Sequence, residues 1–453
     1  MSVQAQSFPA TAPATSAVHT PWGFAELFII SQTALPAILI LPGTQAIRLP
    51  IRMAAFLVPL AAFVWWNATA ERRTAPSKTQ SWLSAVMLLL GVMIFHPSTP
   101  SIVAGVAHAA VYFAVMTPLF WAPSLVRTPE HLARIIWLLL VCSGINAIVG
   151  VLQVYDPARW MPAEFSRLLT SGPTGLGTVS YVGAGGQLIV RPPGLFDTPG
   201  AVAGPASYAA LLGLIFAVSG LPAWQRLLSL GFAAAGLATI YLTQVRAALV
   251  VAIGMMVVYA IVATRQGRVG RATQFATLAG AIVFGSFTLA VALGGASISE
   301  RISSLFASDP LTVYHGARGV QLQLTFSDLL YQWPLGAGLG RWGMVAGYFG
   351  APSASESLWA EIQFTGWMID GGIPMLLLYL GALIVTTLAE YRVALTRQYP
   401  KLAQCGAVVL AANLGTAALI FSFVPFVTQV GVQYWFLAGA LHGVSRRYGV
   451  DGA

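Results

Sequence analysis

The 453-residue chain is 57% hydrophobic and only 8% charged, a balance that excludes a soluble globular domain and marks a polytopic, all-α membrane protein. Its formal charge of +9 comes from 23 Lys and Arg set singly or in small groups between apolar stretches. That scatter excludes a nucleic-acid-binding basic run and points to membrane topology and anionic ligands.

Residues 1–22 are rich in Ala, Thr, Ser and Pro and carry no Lys or Arg, so they are expected to be a disordered cytoplasmic tail rather than a signal peptide. Apolar stretches follow near 23–42, 51–67, 81–96, 102–122, 134–154, 201–219, 227–244, 247–264, 273–294, 368–389, 402–424 and 426–443. Because about 17 to 23 apolar residues suffice to cross the hydrocarbon, they predict about twelve transmembrane helices in one domain, 23–445, with a short tail at 446–453. Cys142 and Cys405 lie inside these stretches, which leaves neither a disulfide framework nor a thiolate metal site.

Orientation follows from the flanking basic residues. Arg72, Arg73, Lys78, Arg127, Arg134, Arg226, Arg265, Arg268, Arg271, Arg392, Arg397, Lys401, Arg446 and Arg447 fall on one side, fourteen of the 23. That side is the cytoplasm, and both termini share it. Two large loops, about 155–200 and 295–367, then lie on the outer, periplasmic face and are expected to contain amphipathic helices; Leu322, Leu324, Phe326, Leu329 and Leu330 supply such a helical-period run.

The nine remaining basic residues are all arginines: Arg48, Arg52, Arg159, Arg167, Arg191, Arg246, Arg301, Arg318 and Arg341. A guanidinium stays charged when partly buried and grips phosphate oxygens through two parallel hydrogen bonds. As a set they point to an anion site, although any one of them can pair instead with Asp156, Glu164, Asp197, Glu300, Asp309 or Asp328. Arg246, in TQVRAALVV, sits between two spans with hardly any loop and must face a partner or a water-filled cavity.

Within the second loop, Arg301, His315, Arg318, Arg341, Glu356 and Glu361 concentrate ionisable groups, and charges near a bilayer are retained for a task. VRPPGLFDTPG at 190–200 holds Arg191 on a stiff turn, with Pro199 expected to open the next helix. WPLGAGLGRWG at 333–343 lacks the strand, the Lys-Ser or Lys-Thr and the βαβ setting of a nucleotide loop. It reads as a tight re-entrant turn at the membrane surface.

An outer loop ending in Arg-x-x-Gly-x-Phe-x-x-Pro, an arginine at the next hairpin mouth, and a long outer loop with an arginine helix and a Pro-x-Gly-x-Gly-x-Gly turn together resemble the O-antigen ligase and O-antigen polymerase superfamily. The likeness covers roughly residues 135–390. It implies a bacterial inner-membrane glycosyltransferase that uses glycans carried on undecaprenyl pyrophosphate at the periplasmic face, with no cofactor and no metal. It also implies that Arg191, Arg246 and Arg318 hold the pyrophosphate, with Arg341 and Arg301 as further members. The His-Asn pair that ligases of this group carry before their final span is absent. Its region reads SESLWAEIQFTGWMIDGGIP, which places Glu361, or in another register Glu356, at the histidine position and favours a repeat-unit polymerase over a lipid A core ligase.

Inverting transfer from a pyrophosphate needs neutralisation of the leaving group, a base for the acceptor hydroxyl, and alignment of the two. Glu361 is the first candidate base, expected on a helix running from Ser357. Glu356 is second, with helix capping as its plainer role, and His315 is third, with structural hydrogen bonding as its plainer role. Gln363, Thr365 and Trp359 are candidate contacts for sugar or acceptor glycan. The other partners implied are membrane lipids and a chain-length regulator. A twelve-span transporter or flippase of lipid-linked oligosaccharide is the alternative from another class, to be told apart by paired halves and polar groups near the bilayer midplane.

Overall fold

In the computed structural model the described residues are 22–69, 76–165, 177, 179–305, 309, 312, 314–350 and 358–450. Arg167, Glu356 and residues 1–21 of the expected tail lie outside them. The helices are α1 (Phe24–Ala37), α2 (Arg48–Thr69), α3 (Lys78–Met93), α4 (Ile102–Met116), α5 (Pro118–Leu125), α6 (Pro129–Tyr155), α7 (Pro157–Trp160), α8 (Ala203–Ala217) and α9 (Ala223–Thr243). They continue as α10 (Arg246–Arg265), α11 (Val269–Gly294), α12 (Ala296–Ser303), α13 (315–332), α14 (Gly343–Phe349), α15 (Gln363–Ala394), α16 (Pro400–Ala418) and α17 (Gln429–Arg447). One antiparallel hairpin interrupts the helices, β1 (Ser180–Val182) with β2 (Leu188–Val190), in the register Tyr181 opposite Ile189.

The expected spans fall largely on helix, and among the described residues eight helices combine the length and apolarity needed to cross a membrane. Phe24–Ile40 and Ala203–Ala217 are apolar but shorter. For two of the others the difference has a packing reason: α8 and α17 are almost wholly enclosed by other helices, so their length and composition answer to protein neighbours rather than to lipid. Close contact is made by small residues, as inside membranes generally. A Cβ on Gly213 would stand 2.5 Å from the Ser229 carbonyl, one on Gly236 2.6 Å from that of Ala206, and one on Gly443 2.5 Å from Pro123 Cα. A buried aromatic stack closes the middle: Trp367 and Tyr379 lie 4.4 Å apart, and the Trp435 indole donates to the Tyr379 hydroxyl at 3.1 Å.

Helix α15 breaks at Gly372 (φ 62, ψ −150). The glycine-rich stretch enters that break: Ala337 N–H donates to Ile369 O at 2.6 Å and Ile373 N–H to Pro334 O at 2.9 Å. Gly336, Gly338 and Gly340 all have left-handed φ, and a Cβ on Gly336 would lie 2.7 Å from the Gly371 backbone. The expected surface turn is therefore a buried plug in a broken helix. Pro199 likewise does not open α8, which begins at Ala203 after a turn through Gly200.

Both loop regions gather at one end of the bundle. The Ser297 hydroxyl donates to Val182 O at 2.9 Å, and the Gln244 amide, from the mouth between α9 and α10, donates to Ser297 at 3.4 Å. At the other end Gln266 donates to Ala394 O (2.7 Å) and Ala403 O (3.0 Å), and Lys401 pairs with Glu130 at 3.0 Å.

Candidate functional site

The turn that carries Arg191 is gripped from below. Arg191 N–H adds a last rung to the hairpin by donating to Val179 O at 2.9 Å. Two prolines then remove further donors, and Gly194 turns with φ 65. Its N–H and C=O are both taken by the Gln153 side chain at 2.8 Å, while Leu195 N–H donates to Asn146 Oδ1 at 2.9 Å. A Cβ at Gly194 would fall 2.1 Å from Asn146 Oδ1, so a left-handed, side-chain-free residue is required. Two buried amides of α6 thus fix the base of Arg191.

Arg246 opens α10 two residues after Gln244, a non-glycine residue with φ 54, and its Nη1 donates to Ser304 Oγ at 3.1 Å. Ser304 caps the end of α12, which carries Arg301 one turn earlier, and its hydroxyl donates to Arg301 O at 2.7 Å. Arg318 lies on α13 and forms an ion pair with Glu361.

Arg301 lies in the field of Arg246 and Arg191, and Arg318 in that of Arg191. Burial holds Arg301 below the usual arginine range, and the charges of Arg246 and Arg191 push it further. Arg318 is lowered by burial and then by Arg191. Burial lowers Arg191 as well, against an opposing contribution from the Tyr181 phenol, which burial itself raises. Glu361 is the carboxylate that meets this set among the described residues. Arg191 Nε, Arg301 Nε and Tyr181 OH are buried without hydrogen-bond partners there. Since an unsatisfied buried donor costs about 1–3 kcal/mol, three such donors beside an excess of positive charge can serve an anion.

Glu361 does not stand on a helix. Ile362 is an extended residue before α15 (φ −119, ψ 143), and the N–H groups of Glu361 and Ile362 both donate to Gln321 Oε1, at 2.7 and 3.2 Å. One turn further along α13 and α15, the Thr325 and Thr365 hydroxyls meet at 2.7 Å. The loop helix therefore docks its polar face on the start of α15. Arg318, one turn before Gln321, is carried to Glu361 by that docking.

The other expected site residues are held differently. Gln363 is fully buried, with its amide donating to the Tyr112 hydroxyl at 3.2 Å and accepting from Phe426 N–H at 3.0 Å. Thr365 is also buried, so both are internal fasteners rather than glycan contacts. Trp359 is 62% exposed, as an open stacking face would be. His315 is exposed on the first turn of α13. Arg341 lies over the Trp333 ring at 5.5 Å. Arg48 and Arg52 share the buried Asp197 carboxylate, at 3.1 and 2.6 Å, with Glu164 3.8 Å from Arg48. For those two arginines, pairing with carboxylates is the arrangement.

Sequence reasoning missed Tyr181, Gln321 and a buried group around Asp370. Asp370 accepts from Tyr112 OH at 2.7 Å and Trp342 Nε1 at 2.9 Å, and His108 Nδ1, 3.6 Å away, accepts from Gly340 N–H at 2.9 Å. The available signals were polar residues inside apolar runs: Gln321 and Gln323 in VQLQLTF, and Asp370 in GWMIDGG. Compared with known proteins, the chain matches no family model and no curated protein.

Proposed function

We propose that this chain is a repeat-unit polymerase of the O-antigen or exopolysaccharide type, working on undecaprenyl-pyrophosphate-linked glycan. The observation that carries the reading is the convergence of Arg191, Arg246, Arg301 and Arg318, with orphaned donors and one paired carboxylate. It matches the three arginines that the resemblance to the O-antigen ligase and polymerase superfamily marks for pyrophosphate. In this reading the chain crosses a bacterial inner membrane twelve times, with both termini in the cytoplasm and the arginine end in the periplasm.

The chemistry follows from the charges. The pyrophosphate diester brings two negative charges to four guanidiniums and competes with Glu361 for Arg318. Glu361, released from that pair, accepts the proton of the acceptor hydroxyl as its oxygen bonds to the anomeric carbon. The bond from that carbon to the pyrophosphate oxygen breaks, and the electron pair leaves with undecaprenyl pyrophosphate, neutralised by the arginines. Trp359 offers a stacking face to the acceptor glycan. A ligase would run the same step with lipid A core as acceptor; a carboxylate where ligases carry histidine weighs against it.

Transport draws on a specific feature, a buried carboxylate beside a broken helix. Against it, both Asp370 oxygens are bound by protein donors. Purified protein in liposomes with labelled lipid-linked repeat units separates the classes. Elongated lipid-linked chains are expected, whereas translocation without elongation would replace polymerase with flippase.

A further inference from the structure

At the end of the bundle away from the arginines, about 40 Å of helix further along α15, Glu390 is buried with 3% exposure. It lines a cavity of about 20 Å³ together with Ser77, Thr79, Thr386, His442 and Ser445. One carboxylate oxygen, Oε1, accepts from Asn413 Nδ2 at 2.5 Å; the other, Oε2, is buried with no partner among the described residues. A volume of that size, just above the roughly 10–15 Å³ that a water needs, admits one small species.

Beside apolar Leu119, Val393 and Leu441, the polar part of the lining presents hydroxyl acceptors. Thr386, one turn before Glu390 on the same face, donates its hydroxyl proton to Ala382 O at 2.7 Å and stands 3.4 Å from Thr79 Oγ1. Ser445 donates to His442 O at 3.0 Å. Ser77 Oγ accepts from Gln80 N–H at 3.2 Å as the cap of α3. With their protons committed elsewhere, Thr386 and Ser445 can offer the cavity only lone pairs, beside a carboxylate whose burial as a lone charge would be costly.

We propose that this cavity binds one dehydrated monovalent cation of sodium size, held by Glu390 with the hydroxyl oxygens of Thr386, Thr79 and Ser445. A single positive charge neutralises the carboxylate, whereas a divalent ion would leave a net buried charge. Hard oxygen donors suit an alkali ion and not a soft transition metal. The ion joins α3, α15 and α17, and so stabilises the packing of three segments. The inference does not rest on the polymerase reading.

The test is thermal unfolding of purified full-length protein in nanodiscs at fixed pH and ionic strength, in sodium, potassium or choline chloride. A ligand that binds only the folded state raises Tm with concentration. A saturable rise specific to sodium is expected in the wild type and is lost in Glu390→Gln. Thr386→Val should raise the half-saturating sodium concentration by about tenfold, the scale of one lost polar contact. Should Glu390→Gln fail to accumulate, radioactive sodium binding to wild type and Thr386→Val decides, with one ion per wild-type chain expected. Identical Tm in sodium and choline, an equal rise with potassium, or an unchanged sodium response in Thr386→Val would each overturn the assignment and leave a water beside a neutral acid.

Discussion

Two sets of arginines meet opposite fates, and mutation should separate them. Arg48 and Arg52 are paired with a 3%-exposed Asp197. Asp197→Asn leaves two guanidiniums without their shared counter-charge, and removing one partner of a buried pair costs about 3–5 kcal/mol. A fall in Tm and in membrane abundance is the expected result. Arg191, Arg246 and Arg318 belong instead to a like-charged set, where alanine relieves repulsion, offset at Arg318 by loss of its pair with Glu361. Each alanine variant should abolish polymer formation with Tm unchanged or raised, and lysine should substitute poorly because a point charge loses the two-pronged grip. Wild-type polymer levels in two of the three would remove the anion site. Glu361→Gln keeps size and hydrogen bonding but not basicity, and should slow turnover by about 10²-fold, the scale of a lost general base. His315→Ala should do much less; turnover assays that reverse this order would move the base to His315.

At the scale of elements, the site depends on how α13 sits on α15. Gln321 Oε1 serves two N–H groups ahead of α15, a capping task usually given to a residue of the same helix. Gln321→Ala leaves both donors unserved and frees Arg318 from Glu361. Hydrogen exchange at residues 361–366 should quicken and elongation should fall, while Tm drops by only a few degrees. The break in α15 is a second dependence. Gly336→Ala places a Cβ 2.7 Å from the Gly371 backbone at a φ of 94, which combines strain with overpacking, each about 1–3 kcal/mol. Loss of folded protein, read as monodispersity in detergent, is expected. Gly343→Ala, whose Cβ meets nothing within 4 Å, should lose only the smaller cost of its own left-handed φ.

Across the whole molecule, the arginine cluster and the basic loop around Arg268 and Lys401 occupy opposite ends, and the orientation in the membrane decides which donors the site can meet. Reporters fused after Gln266 and Tyr399 should read cytoplasm, and those after Pro173 and Pro352 should read periplasm. A cytoplasmic signal at Pro352 would put the arginines on the wrong side for periplasmic polymerisation. The same orientation would place the Glu390 cavity near the cytoplasmic face, so the sodium response should be set by ions on that side.

Composition and hydropathy period determined the class of the protein, because lipid forces apolar, helical spans whatever their neighbours. They placed the apolar stretches largely on helix, eight of them among the described residues long and apolar enough to cross a membrane, and marked Arg191, Arg246, Arg301 and Arg318 as charges out of place. Hydropathy did not separate helices that meet lipid from those enclosed by protein, since α8 is apolar either way. Nor did it tell a paired arginine from a gathered one: Arg52 and Arg191 look alike until Asp197 is found beside one and Tyr181 beside the other. Those pairings join residues more than a hundred positions apart in the case of Arg52, and the docking of Gln321 on residues 361–362 spans forty. Contacts of that kind leave no period in a sequence. Tertiary packing alone decided that Gln363 is a fastener, that the glycine loop is a plug, and that Glu390 faces a cavity.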